Sequence, residues 1–86
     1  AGEQRVFSWH PSVFALLRRA RQNEDAVLCL TNVSPQSVTV PVDLAAAGLR
    51  EGKSYRDLLD GGVYSPVAGH LTVPLSPYQT VWLVTT

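Results

Sequence analysis

Two histidines, one cysteine and seven carboxylates are the chemical inventory of this 86-residue chain. The carboxylates are Glu3, Glu24, Asp25, Asp43, Glu51, Asp57 and Asp60. Acid–base catalysis needs two of them, or a histidine with an orienting partner, converging in a pocket. All but Asp43 and Asp57 fall in turn-like stretches or at the terminus, and Asp43 takes an outward strand position. They read as solvated charge. Asp57 and Asp60 flank Leu58-Leu59 just ahead of Gly61-Gly62, where a short carboxylate serves by hydrogen bonding the turn backbone. His10 and His70 lie far apart, each near a chain breaker. With a single cysteine they lack the closely spaced ligands a metal site requires. No Gly-x-Ser-x-Gly, Cys-His pair or glycine-rich phosphate loop occurs. No catalytic residue, metal ligand or cofactor is therefore assigned. Asn32-Val33-Ser34 has the form of a glycosylation acceptor, but Pro35 follows it and nothing else points to secretion, so we read it as coincidence.

The aromatics carry the remaining chemistry. Sugar-binding modules stack exposed Trp or Tyr faces on sugar rings, and Trp9 and Trp82 are the candidates for carbohydrate binding. Packing is the competing reading for both. In one strand over residues 78–86, Tyr78, Thr80, Trp82 and Val84 share a face, while Gln79, Val81, Leu83 and Thr85 share the other. Both faces are partly apolar, the pattern of a strand covered on both sides. Trp9, near a terminus, is read as packing, as a partner contact or as a sugar platform.

The elements that must position these residues are short and β-prone. Ala26 to Val33 is the clearest central strand, apolar on both faces, with Cys29 expected as a buried small hydrophobe. Ser37 to Leu44 alternates with Val38, Val40, Val42 and Leu44 inward. Pro41 cannot donate a ladder hydrogen bond, which points to a sheet edge. Val13 to Arg21 reads as helix or strand; with strands on every later segment, strand is the expectation, with Phe14, Leu16 and Arg18 on one face. Gln22-Asn23-Glu24-Asp25 is expected as a hairpin turn, Ala45–Leu49 as a single helical turn, Ser54–Leu59 as a strand, and 63–70 as irregular or short-strand chain. Leu71–Leu75 and Tyr78–Thr86 form the closing pair around Ser76-Pro77. Turns every eight to twelve residues between alternating runs predict an all-β antiparallel Greek-key β-sandwich of about 6–8 short strands.

Size allows one domain, residues 1–86. Residues 1–5 read as a tag or linker remnant, or as a cut inside a longer chain. A domain this small buries roughly 60–65% of its unfolded surface. Hydrophobic residues are 45% and charged residues 16% of the chain, which excludes a disordered segment. The low charged fraction fits a surface covered by something else. Seven basic residues balance seven acidic ones, so the electrostatic footprint of nucleic-acid binding is absent. No apolar run reaches the ~18 residues of a membrane span. A lone cysteine permits no intrachain disulfide and fits a reducing, cytoplasmic compartment.

Four segments carry a resemblance. They are Val13-Phe14-Ala15-Leu16-Leu17-Arg18-Arg19, then Val27-Leu28-Cys29-Leu30-Thr31-Asn32-Val33-Ser34, then Tyr55-Arg56-Asp57-Leu58-Leu59-Asp60-Gly61-Gly62. Leu71-Thr72-Val73-Pro74-Leu75 with Tyr78-Gln79-Thr80-Val81-Trp82-Leu83 is the fourth. In order and spacing, over roughly residues 6–86, the chain resembles the C-terminal β-domain of the α-amylase superfamily, with sucrose phosphorylase and its relatives the nearest in flavour. The resemblance implies an antiparallel sandwich packed on a catalytic (β/α)8 barrel that holds the reacting carboxylates, none of which is in this chain. It implies a non-catalytic accessory domain of a bacterial enzyme acting on α-glucosides, its partner the barrel of the parent chain. Trp9, Phe14, Trp82 and the 63–70 loop are then the expected interdomain packing surface, through which an isolated domain could self-associate. The alternatives are a carbohydrate-binding module and a protein-binding adaptor.

Overall fold

The computed structural model describes residues 2–20 and 26–85; the expected turn at Gln22–Asp25 lies outside them. Eight strands follow in chain order: β1 Gly2–Phe7, β2 Val13–Ala20, β3 Ala26–Asn32, β4 Val38–Asp43, β5 Tyr55–Asp57, β6 Val63–Tyr64, β7 His70–Leu75 and β8 Thr80–Thr85. One helical turn, α1 Leu44–Ala47, stands between β4 and β5. The strands form two antiparallel sheets, one of six strands in the order β1-β2-β3-β8-β5-β6 and one of two, β4-β7. The expected closing pair is thus not a hairpin: β8 enters the middle of the large sheet, between β3 and β5, while β7 pairs with β4 in the other sheet, the Ser76-Pro77 turn carrying the chain across.

Alternation decides what lies between the layers. Val13, Ala15 and Leu17 of β2, Leu28 and Leu30 of β3, and Val81 and Leu83 of β8 point inward and are buried. They meet Val40 and Val42 of β4 and Leu71, Val73 and Leu75 of β7, with Tyr55 and Leu44 closing the ends. The inward set expected over Ser37–Leu44 is the one found, Val38 being partly buried and the other three fully. β4 has a single partner, β7, so Pro41, opposite Thr72, does occupy an edge strand.

One further expectation changes, and two segments gain detail. Segment 54–59 is not one strand: β5 ends at Asp57, because the Asp57 side chain captures the Leu59 amide and turns the chain. Within 63–70, Val63–Tyr64 pairs with β5, and Val67 and His70 exchange two backbone hydrogen bonds around a two-residue loop. Gly2–Arg5 pairs in register with Leu17–Ala20 as part of β1.

The loop between Val67 and His70 has φ of 52° at Ala68 and 80° at Gly69, the signature of a type I′ turn. Glycine suits position 69 because of its positive φ, and a Cβ there would also push aside the Glu51 carboxylate, 2.7 Å away. Ala68 is the poorer choice, because an alanine resists positive φ while asparagine accepts it. Ala68→Asn should raise stability by about 0.5–1 kcal/mol, read as a higher urea midpoint at unchanged slope.

A candidate docking face

On the large sheet, every second side chain points away from the core. One row across the strands is Val6, Leu16, Cys29 and Trp82, each opposite the next in register. A neighbouring row is Phe14, Thr31 and Thr80, whose threonine hydroxyls lie 3.2 Å apart. On the other side Arg18 pairs with Val27 and Arg56 with Val84. The centre of this outer face is thus apolar and aromatic, with arginines at its margin. Phe14 is 50% and Trp82 45% exposed. Large apolar side chains that are contiguous and uncovered mark an interaction surface, whereas scattered ones do not.

Cys29 belongs to this face and not to the core. Period two sends Leu28 and Leu30 inward, so the thiol must point out, between Leu16 and Trp82. It is partly buried there. Burial pushes the thiol pKa up, and the positive charge of Arg18 pulls it partly back.

The turn after β5 adds two more apolar groups. Asp57 is 1% exposed, and its Oδ1 accepts from the Leu59 amide at 3.0 Å and from the Trp82 amide at 2.9 Å. Leu58 N also donates to the Trp82 carbonyl at 2.8 Å. The carboxylate therefore pins the turn against β8, and Leu58 and Leu59 remain half exposed beside it. Asp57 Oδ2 is buried without a partner among the described residues. The expected role at the Gly61-Gly62 turn falls to Asp60, whose Oδ1 accepts from Gly62 N at 2.7 Å. Asp57 reaches that turn only through its backbone, by bonds to Gly61 and Gly62. The Tyr64 hydroxyl pKa is raised, by burial first and then by the charges of Asp60 and Asp57.

Trp9 lies elsewhere. It stacks on Phe7 with ring centroids 4.5 Å apart and nearly parallel, and both rings pack against the core cluster. Arg5 covers Phe7 at 4.9 Å. Three strand spacings, about 14 Å at ~4.8 Å each, separate β1 from β8. Trp9 and Trp82 are thus not brought together, whereas Phe14 and Trp82 share the outer face.

Other polar residues are engaged in structure. Asn32 is fully buried and makes four hydrogen bonds, so its amide is closed to a glycan. Asp43 caps α1 by accepting from Ala46 N at 3.1 Å, and His70 Nε2 lies 3.9 Å from the same carboxylate, both exposed. Burial raises the Tyr55 pKa; its hydroxyl donates to the Arg50 carbonyl at 2.6 Å, and the Arg50 charge opposes the rise. Among the described residues, no group of three His, Cys, Asp or Glu could hold a metal ion. A cleft of about 130 Å³ beside Arg19 and Tyr55 is small for a ligand, and a groove of about 320 Å³ along Ser37–Thr39 and Pro74–Ser76 has no titratable lining. Among the described residues, no helix is long and apolar enough to cross a membrane.

Three solved structures illustrate the fold this chain shares. AmyP E221Q in complex with maltotriose is 23% identical over 96% of this chain, with a TM-score of 0.80. An Anoxybacillus α-amylase is 18% identical over 99%, with a TM-score of 0.81. A Geobacillus stearothermophilus β-L-arabinopyranosidase is 20% identical over 99%, with a TM-score of 0.77. This chain spans only 16%, 18% and 20% of those three chains, respectively. At such identities the likeness establishes the fold alone. A search of curated proteins found no match. The family model of the maltogenic amylase C-terminal domain matches residues 6–82, nearly the whole described sandwich, and the chain belongs to that family.

Proposed function

We propose that this chain is the non-catalytic C-terminal domain of an enzyme acting on α-glucosides, and that it packs on and stabilises the catalytic barrel of its parent through the outer face of the six-stranded sheet. One observation carries the reading: Leu16, Cys29 and Trp82 form an apolar row across three central strands, with Trp82 and Phe14 half exposed. Leaving such a row in water forgoes about 25 cal/mol for each Å² of apolar surface, which a covering domain would recover. The family membership and the small share of each structural neighbour that the chain spans support a larger parent.

Cys29 reports on this directly, being in the middle of the row. Its alkylation, followed on the Cys29 peptide by mass spectrometry, should be at least about tenfold slower in the full-length parent than in the 86-residue chain, since a buried interface must open first. Trp82→Asp in the full-length protein should restore the fast rate. Equal rates in the two proteins would reject a covered outer face.

The parent's chemistry has two supports. The four quoted segments favour a sucrose phosphorylase-like enzyme, while AmyP, solved with maltose and with maltotriose, favours maltooligosaccharides. Glucose 1-phosphate released from sucrose and phosphate, against glucose released from maltose, separates them.

A further inference from the structure

Ser76-Pro77-Tyr78-Gln79 joins β7 to β8. The Gln79 amide donates to the Ser76 carbonyl at 3.0 Å, the Gln79 side chain accepts from the Ser76 amide at 2.8 Å, and Tyr78 has φ of 58°. This is a type II turn with proline second and a positive-φ residue third, the position that glycine or asparagine fills without strain. A bulky side chain in the left-handed region is an outlier that must be maintained against its local cost. Backbone bonds and the Gln79 side chain hold the turn, but among the described residues the Tyr78 side chain adds no hydrogen bond to offset that cost. The Tyr78 side chain is 65% exposed, and its hydroxyl makes no hydrogen bond among the described residues.

The turn lies at one end of the outer face. Gln79 bonds to Asn32, and the Tyr78 amide donates to the Ser34 carbonyl at 3.2 Å, so the register brings Tyr78 opposite Val33, itself exposed. Val33 in turn bonds to Ser12, two residues from Phe14. The exposed groups Tyr78, Val33 and Phe14 thus continue the surface that Trp82 centres.

We propose that Tyr78 is a docking residue: the strained turn holds its ring outward to extend the outer face onto the catalytic domain of the parent enzyme. This rests on the covered-face reading above. The occupant is the parent's own catalytic domain, because the chain spans 16–20% of the glycosidases that share its fold and because Tyr78 is continuous with the apolar row. The local backbone favours glycine at this position; the interface favours an aromatic anchor.

One substitution should then have opposite effects in two proteins. In the 86-residue chain, Tyr78→Gly should raise the urea midpoint, because relief of the positive-φ strain outweighs the added unfolded-state entropy of glycine and the small contact area of a mostly exposed ring. In the full-length parent, the same change should speed Cys29 alkylation about tenfold, the size expected on losing one interfacial anchor. Tyr78→Asn, which also tolerates positive φ, should repeat both results. Unchanged Cys29 labelling in the Tyr78→Gly parent, with Trp82→Asp still accelerating it, overturns the role of Tyr78 and leaves the covered face standing. If neither variant moves the labelling, both readings fall. A lower midpoint for the Tyr78→Gly chain also overturns the proposal, since the ring would then be stabilising its own domain.

Discussion

Replacing Asn32 with aspartate should remove most of the stability of this domain. The side chain is fully buried where β3 leaves the large sheet. Its Nδ2 donates to the carbonyls of Gln36 at 2.7 Å and Ser76 at 3.0 Å, and its Oδ1 accepts from the amide and hydroxyl of Ser34 at 3.0 and 2.8 Å. One amide thereby ties three segments: the end of β3, the 34–36 turn and the exit of β7. Aspartate keeps the shape and the Oδ1 acceptor but turns a double donor into a charged oxygen facing two carbonyls. An uncompensated buried charge costs about 3–5 kcal/mol. A domain of this length has roughly 4–13 kcal/mol in total. The thermal midpoint should fall by roughly 15–30 °C, followed by tryptophan fluorescence. Asn32→Ala, which loses all four bonds without adding charge, should cost less, about 2–4 kcal/mol. A loss below about 1 kcal/mol for Asn32→Asp would mean that the two carbonyls find other donors.

Asp57→Ala should be the second severe change, at about 2–4 kcal/mol, because it orphans the part-buried amides of Leu59 and Trp82 together. Asp57→Asn makes the sharper control. It preserves the Oδ1 acceptor and alters only Oδ2, which has no partner among the described residues, so its cost should stay near 1 kcal/mol. The pair of variants separates a requirement for an acceptor from a requirement for charge. Equal losses in urea titrations would assign the role to charge. The alanine change should also loosen Leu58 and Leu59 from β8 and, in the full-length parent, speed Cys29 alkylation.

The strands themselves were legible because period two is written into the residues. Val38, Val40, Val42 and Leu44 declared one face of β4, and Pro41 declared its edge. Val13–Arg21 needed its neighbours: leucine, alanine and arginine there suit a helix, and only the surrounding strands argued against it. The role of Asp57 was misjudged and that of Asn32 went unread for a common reason. A polar residue in or beside a strand reads as surface or turn chemistry, and nothing local announces that donors from a strand 25 residues away, or acceptors 44 residues away, will converge on it. Cys29 was placed in the core because its run is apolar throughout. That pattern is correct for a strand covered on both sides, and the second cover is what the domain alone does not supply.

Composition and alternation by themselves determined an all-β antiparallel domain, since both follow from residue types and their nearest neighbours. The tertiary structure decided which of two partly apolar faces is core. Tyr78–Thr86 offers Trp82 on one side and Val81 with Leu83 on the other, and either could have been buried. Pairing β8 between β3 and β5 aligned Val81 and Leu83 with Leu30 and Leu28 over the second sheet. The same pairing lined up Trp82 with Cys29 and Leu16 on the outside. Burial is a property of the register between strands distant in sequence, and no local pattern carries it.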